Sequence, residues 1–90
     1  MSYRVIWSSK AEQILSTQFF LAHETGRDPD VLELAVFEAN ELLSDQPDDV
    51  GESRDGLERI LFVGPLIVKY EIYELREVVS VYDVIVRYRR

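Results

Sequence analysis

The chain has 90 residues with a net charge of −7, 47% hydrophobic and 30% charged, a length and balance that fit one globular domain over residues 1–90. It contains no cysteine, which excludes a disulfide-stapled scaffold and thiolate metal sites. Residues 1–50 set three basic residues against ten acidic ones, whereas residues 51–90 balance seven against seven and end on Arg87-Tyr88-Arg89-Arg90. An acidic surface repels phosphate backbones, so broad nucleic-acid binding is not expected, and only the C-terminal end leaves room for a local basic site. No apolar run approaches the roughly 20 residues that span a membrane, and Met1-Ser2-Tyr3-Arg4 is not the start of a signal peptide. A cytoplasmic location is expected.

Tyr3-Arg4-Val5-Ile6-Trp7 is β-branched and aromatic and predicts a strand with Trp7 in the core. Ser9-Lys10-Ala11-Glu12 has the spacing of a capping box, placing Ser9 at the N-cap of a first helix and Glu12 three positions on. Ala11, Ile14, Leu15, Leu21 and Ala22 recur at helical intervals, and Gly26 supplies a left-handed stop. Asp28-Pro29 opens a second helix, with Asp28 capping and Pro29 in the first turn, where its missing N–H does no harm. Its apolar positions are Val31, Leu32, Leu34, Ala35, Ala39, Leu42 and Leu43, and it must stop before Pro47. Each helix is about 24 Å long. Equal lengths and a short connection predict an antiparallel helical hairpin.

Residues 45–56 (DQPDDVGESRDG) read as a polar surface loop. Three strands follow: Glu58–Val63, then a Gly64-Pro65 turn, Leu66–Glu74, a turn at Leu75-Arg76-Glu77, and Val78–Val86. Short turns make these an antiparallel meander. A helix back and a helix forward return the chain to the far end of the first strand, so the second strand is expected to run antiparallel to it. The predicted fold is α+β: an N-terminal strand, a two-helix hairpin and a three-stranded meander, forming a four-stranded antiparallel sheet with the helices on one face.

Three pieces of text sharpen this. The first strand ends in Trp7-Ser8-Ser9-Lys10-Ala11-Glu12-Gln13-Ile14-Leu15; the meander is approached by Gly56-Leu57-Glu58-Arg59-Ile60-Leu61; and the last strand runs Val84-Ile85-Val86 into the basic tail. In order and spacing, over nearly its whole length, the chain resembles the RelE/ParE superfamily of toxins from type II toxin–antitoxin, or plasmid stabilisation, systems. The resemblance implies a cognate antitoxin partner and one of two activities. ParE-like members act on a protein target such as DNA gyrase. RelE-like members cleave mRNA on the ribosome without metal or cofactor, the ribose 2′-hydroxyl attacking the adjacent phosphate.

For the second activity the family pattern maps the catalytic groups onto Arg59, Lys69, Arg87, Tyr88 and Arg89, with Arg59 and the tail expected in one neighbourhood. Arginine forks suit phosphate oxygens, and Tyr88 would stack on a base or donate to a phosphate. Two departures favour the ParE-like reading over the nuclease one. Many members carry a His near the start of the basic segment, where this chain has Val86 and Arg87, and RNA-cutting members tend to be basic. A homologue that is not toxic and only binds a partner is the third expectation. Asp83, an acid within an apolar strand, is expected to face solvent, pair with Arg59 or Arg87, or mark a bulge. Arg59 alternatively pairs with Glu58 or Glu71. No spacing suggests a metal site, a phosphate loop or a Ser-His-Asp arrangement.

Overall fold

The computed structural model describes residues 2–54 and 56–88. β1 (Arg4–Trp7) leads into α1 (Ser9–Glu24), α2 (Pro29–Asp45) and a single turn, α3 (Pro47–Val50). β2 (Glu52–Ser53), β3 (Arg59–Val63), β4 (Leu66–Tyr73) and β5 (Val78–Val86) complete the chain, with a 3-10 turn at Glu74–Arg76 between the last two. The class is α+β, as expected. The sheet, however, has five strands in the order β1-β5-β4-β3-β2, and it is mixed.

The difference has a local cause. β1 lies parallel to β5, with Arg4 opposite Val78 and Trp7 opposite Val81. The segment read as a polar loop contains α3 and β2, and β2 is antiparallel to β3. The first strand after the helices therefore does run opposite to β1, as the direction of travel requires, but that strand is the two-residue β2. One more hairpin then turns β3 parallel to β1. The four-stranded, all-antiparallel arrangement is corrected accordingly.

Helix ends follow side-chain chemistry. The α1 cap is Ser8, not Ser9: its Oγ accepts from the Ala11 N–H at 3.1 Å and donates to the Tyr82 carbonyl at 3.1 Å. Bonding to both the helix and β5 selects Ser8 over its neighbour, a tertiary preference that local spacing does not carry. Thr25 closes α1, Gly26 takes φ +75°, and the Arg27 N–H reaches the Ala22 carbonyl at 2.9 Å, satisfying an end-of-helix acceptor. Asp28 accepts from the Asp30 N–H at 2.9 Å and Pro29 sits in the first turn, as predicted.

Both helices pack on one face of the sheet. Ala11, Leu15, Leu32, Ala35, Ala39 and Leu43 meet Leu61, Val63, Leu66, Val68, Tyr70, Val79, Val81 and Val84. Ala11 and Ala39 are fully buried, and their small side chains let the helix backbones approach the strands. Complete burial of side chains such as Leu32, Leu43 and Leu66 stabilises the fold by roughly 1.5–3 kcal/mol each. Trp7 packs against this core and donates from Nε1 to Asn40 Oδ1 at 2.8 Å. Val31 and Leu34, placed in the apolar stripe of α2 by periodicity, are instead exposed, at 46% and 67%.

β4 and β5 slip register between Lys69/Asp83 and Tyr70/Val81, so Tyr82 is the extra residue of a bulge. Asp83 lies at this bulge, accepts from the Val84 N–H at 2.9 Å and approaches Lys10 Nζ at 3.5 Å. Its partner is thus neither Arg59 nor Arg87.

Ser8→Ala is expected to lower unfolding free energy by about 1–2 kcal/mol, removing both a cap and a link to β5, whereas Ser9→Ala changes it by less than about 0.5 kcal/mol. Urea denaturation of the two variants measures the difference.

Candidate functional site

Strand alternation sorts the sheet residues onto two faces. Leu61, Val63, Leu66, Val68, Tyr70, Val79, Val81 and Val84 point into the core, and the intervening Phe62, Ile67, Lys69, Glu71, Ser80 and Ile85 point to the face the helices leave open. Of the five positions mapped from the family pattern, the four among the described residues divide among three places.

Arg59 stands at the start of β3, opposite Tyr70. Its Nη2 donates to the carbonyls of Asp48 at 2.6 Å and Gly51 at 2.8 Å. The Tyr70 hydroxyl donates to the Pro47 carbonyl at 2.6 Å. Two adjacent side chains thereby satisfy three main-chain acceptors of α3 and its exit and clamp that turn onto the sheet. Gly51 completes the clamp: a Cβ there would lie 2.0 Å from the Tyr70 hydroxyl oxygen, so only glycine fits. Arg59 pairs with neither Glu58 nor Glu71, and its buried Nε has no hydrogen-bond partner.

Lys69 lies on the open face, half-buried, in register with Asp83 and Ile60. At the bulge residue Tyr82, burial first, then the neighbouring carboxylate of Glu58 and the charges of Glu71 and Asp83, push the phenol well above its usual range. This stretch of the open face is acidic.

Arg87 and Tyr88 leave the sheet at its opposite end. The Arg87 N–H bonds the Pro65 carbonyl at 2.7 Å, and the Arg27 guanidinium sits 4.5 Å from the centroid of the Tyr88 ring, a cation–π contact. Val31, Phe62, Gly64, Pro65 and Tyr88 line the cleft beside this turn. Arg59 and the Val63–Leu66 turn are four residues of β3 apart, roughly 13 Å at strand spacing. Among the described residues, Arg59 and the Arg87 backbone therefore stand at opposite ends of β3 and its turn. Arg89 lies outside the described residues.

Among the described residues no helix is long and apolar enough to cross a membrane. The carbonyl clamp at Gly51 escaped the sequence reading because glycine in a polar stretch reads as a turn; its only sequence signal is a Tyr at an inward-facing position of an otherwise aliphatic strand.

No protein-family model matches the chain, and no curated protein matches it significantly. Solved structures do. A chain of the toxin–antitoxin complex RelBE2 from Mycobacterium tuberculosis aligns with a TM-score of 0.76 at 22% identity, covering 97% of this chain and 100% of that one. A chain of the archaeal RelE–RelB complex from Pyrococcus horikoshii aligns with a TM-score of 0.67 at 16% identity over the full length of both. The chain has the fold of these proteins.

Arg59→Ala leaves two carbonyls without their donor and is expected to cost about 1–3 kcal/mol, and Gly51→Ala a similar amount through overpacking against Tyr70. Their double variant should cost less than the sum, since both act on one clamp; denaturant melts of the three proteins decide this. A separate expectation concerns alkaline pH. Tyr70, raised chiefly by burial, and Tyr82 both keep their protons past 10.0, the value at which the unfolded chain releases them. The folded state then binds more protons than the unfolded one above about pH 10, so the contribution of these two groups is constant below that pH and is lost as pH rises beyond it. Tyr82→Phe should flatten that fall in urea melts taken across this range.

Proposed function

We propose that this chain is the toxin of a toxin–antitoxin pair, a single RelE/ParE-like domain over residues 1–90. In this reading it acts in the cytoplasm by binding a protein target such as DNA gyrase, as ParE-like toxins do. The toxin reading rests on the full-length fold likeness to chains of RelBE and RelE–RelB complexes.

The preference for protein binding rests on one observation: among the described residues, the cations that RNA cleavage would need are dispersed. Cleaving a phosphodiester requires several preorganised donors aimed at one phosphate in a water-poor site. Here Arg59 is engaged by the carbonyls of Asp48 and Gly51, and Arg87 leaves the sheet at the other end. Lys69 shares its face with Glu71 and is in register with Asp83. The alternative is a RelE-like ribosome-dependent endoribonuclease using Arg59, Lys69, Arg87, Tyr88 and Arg89. It is favoured by the names of the two structural relatives.

The antitoxin this reading requires would meet an acidic helical surface. Asp30, Glu33, Leu34 and Phe37 line one cleft on α2, and Leu34 and Phe37 are 67% and 63% exposed. A complementary segment carries apolar residues flanked by Lys or Arg.

Induced expression is expected to arrest growth, with purified protein inhibiting gyrase supercoiling at micromolar concentration and mRNA remaining uncut by primer extension. Cleavage at codon-spaced sites with unaffected gyrase would replace this reading by the ribonuclease one. Normal growth at full expression would leave only a partner-binding homologue.

A further inference from the structure

A second place on the open face combines groups that no activity above uses. The parallel pairing of β1 with β5 sets Arg4 opposite Val78 and Ile6 opposite Ser80. With Tyr73 at the end of β4 and Arg76 in the turn that follows, these residues line a groove of about 520 Å³. Its lining holds two arginines and no acid, in a chain with seventeen Asp and Glu.

The two arginines are uncommitted. Among the described residues the salt bridges are Lys10–Asp83 and Arg54–Glu52, and neither Arg4 nor Arg76 has a side-chain hydrogen bond. The nearby carboxylate of Glu74 is occupied, accepting from the Tyr3 hydroxyl at 2.6 Å, and Tyr3 packs on the core side of the sheet. Glu71 accepts from the Tyr73 hydroxyl at 3.4 Å and stands opposite the groove-lining Ser80 in the β4–β5 ladder, at the groove's edge. The groove floor is apolar and aromatic: Ile6 is 44% and Tyr73 45% exposed, with Val78 between them in the sheet.

We propose that this groove binds a phosphate monoester carried on a flat ring, a mononucleotide-sized ligand, with Arg4 and Arg76 gripping the phosphate and Tyr73, Ile6 and Val78 receiving the ring. Planar guanidinium forks match phosphate oxygens, and two of them facing one apolar wall supply orientation as well as charge. The Ser80 hydroxyl on the same wall adds a donor. The volume falls within the usual span for small-molecule sites, about 300–1,000 Å³. A polynucleotide does not fit the same logic. Continuing along β4 and β5 from the groove, a second phosphate first meets Glu71 opposite Ser80, then Asp83 paired in register with Lys69. The site accepts one phosphate and repels the next.

The proposal is independent of the toxin reading and is tested without any partner protein. Adenosine 5′-monophosphate, adenosine and inorganic phosphate are titrated into the full-length chain, followed by amide and arginine Nε–H NMR shifts. The monophosphate is expected to bind saturably, shifting Arg4, Arg76 and Ser80. Arg4→Gln and Arg76→Gln should each weaken it at least about tenfold, the loss of one charge-assisted contact. Arg54→Gln, just after β2, should not, and the amide spectra of all three variants report that they remain folded. Adenosine binding as well as its monophosphate, or no saturable shift at millimolar ligand, overturns the proposal. Inorganic phosphate binding equally well overturns the role given to the ring wall. Longer oligonucleotides binding more tightly than the monophosphate overturns the single-phosphate limit.

Discussion

β1 hydrogen-bonds in parallel to β5, from Arg4 opposite Val78 to Trp7 opposite Val81, and the placement of the other elements follows from that pairing. The Arg4 N–H reaches the Glu77 carbonyl at 2.9 Å and the Ser8 N–H the Val81 carbonyl at 2.8 Å, so the ladder continues past both ends of the strand. The other side of β1 is held by α2: Tyr3 N–H bonds the Ser44 carbonyl at 2.7 Å and Trp7 bonds Asn40. A strand of four residues is too short to stand alone, and here it is fastened to the last strand and the second helix at once. This is a contact at high sequence separation, the kind that slows folding. It fixes which strand lies at the centre of the sheet, where α1 lands, and that Arg4 and Ile6 share a face with Ser80.

The clamp under β3 has the opposite character, being local and polar. Arg59 and Tyr70 face each other across one β-ladder position and together bond the carbonyls of Pro47, Asp48 and Gly51. The first two belong to a four-residue turn that cannot satisfy itself, since a helix leaves its last four acceptors free, and Gly51 is its exit. The Pro47 carbonyl is buried, and leaving it unbonded would cost more than the net gain of an ordinary hydrogen bond. An arginine that looks available for chemistry in the sequence is thus spoken for by the backbone beside it. The same geometry explains why residue 51 is glycine, since any Cβ would displace the tyrosine hydroxyl that completes the set.

Elements with a strong period or a capping residue were legible. Asp28-Pro29, Gly26 and the Gly64-Pro65 turn stand where their backbone chemistry puts them, and β3 to β5 match their alternating text to within a residue. What failed was pairing rather than element type. β2 is two polar residues, Glu52 and Ser53, with no alternation to reveal it, and its presence reverses the direction assigned to β3. Ser8 and Ser9 are equivalent to a local rule and are separated only by the Tyr82 carbonyl, 74 positions away. For the candidate residues the limit was similar: Arg59 and Arg87 lie on one continuous meander, yet text does not say that four residues of strand part them. Arg4 and Arg76 meet only through the parallel pairing, so their groove was invisible.

Charge on this molecule is sorted by element. The helical layer carries most of the acid, with Asp30 and Glu33 beside exposed Leu34 and Phe37. On the sheet side, acids gather around Tyr82 while Arg4 and Arg76 stand apart with no acid in their groove. A partner that wraps such a body cannot be uniformly basic. Basic residues matched to α2 would be repelled at the groove by two free guanidinium groups, and an acidic segment matched to the groove would be repelled on α2. Like charges brought together cost specificity and slow association, so a single covering chain would have to change sign between helical and sheet faces. A long stretch of one sign can therefore satisfy only one of these surfaces, which leaves the other open to a different ligand while the first is occupied.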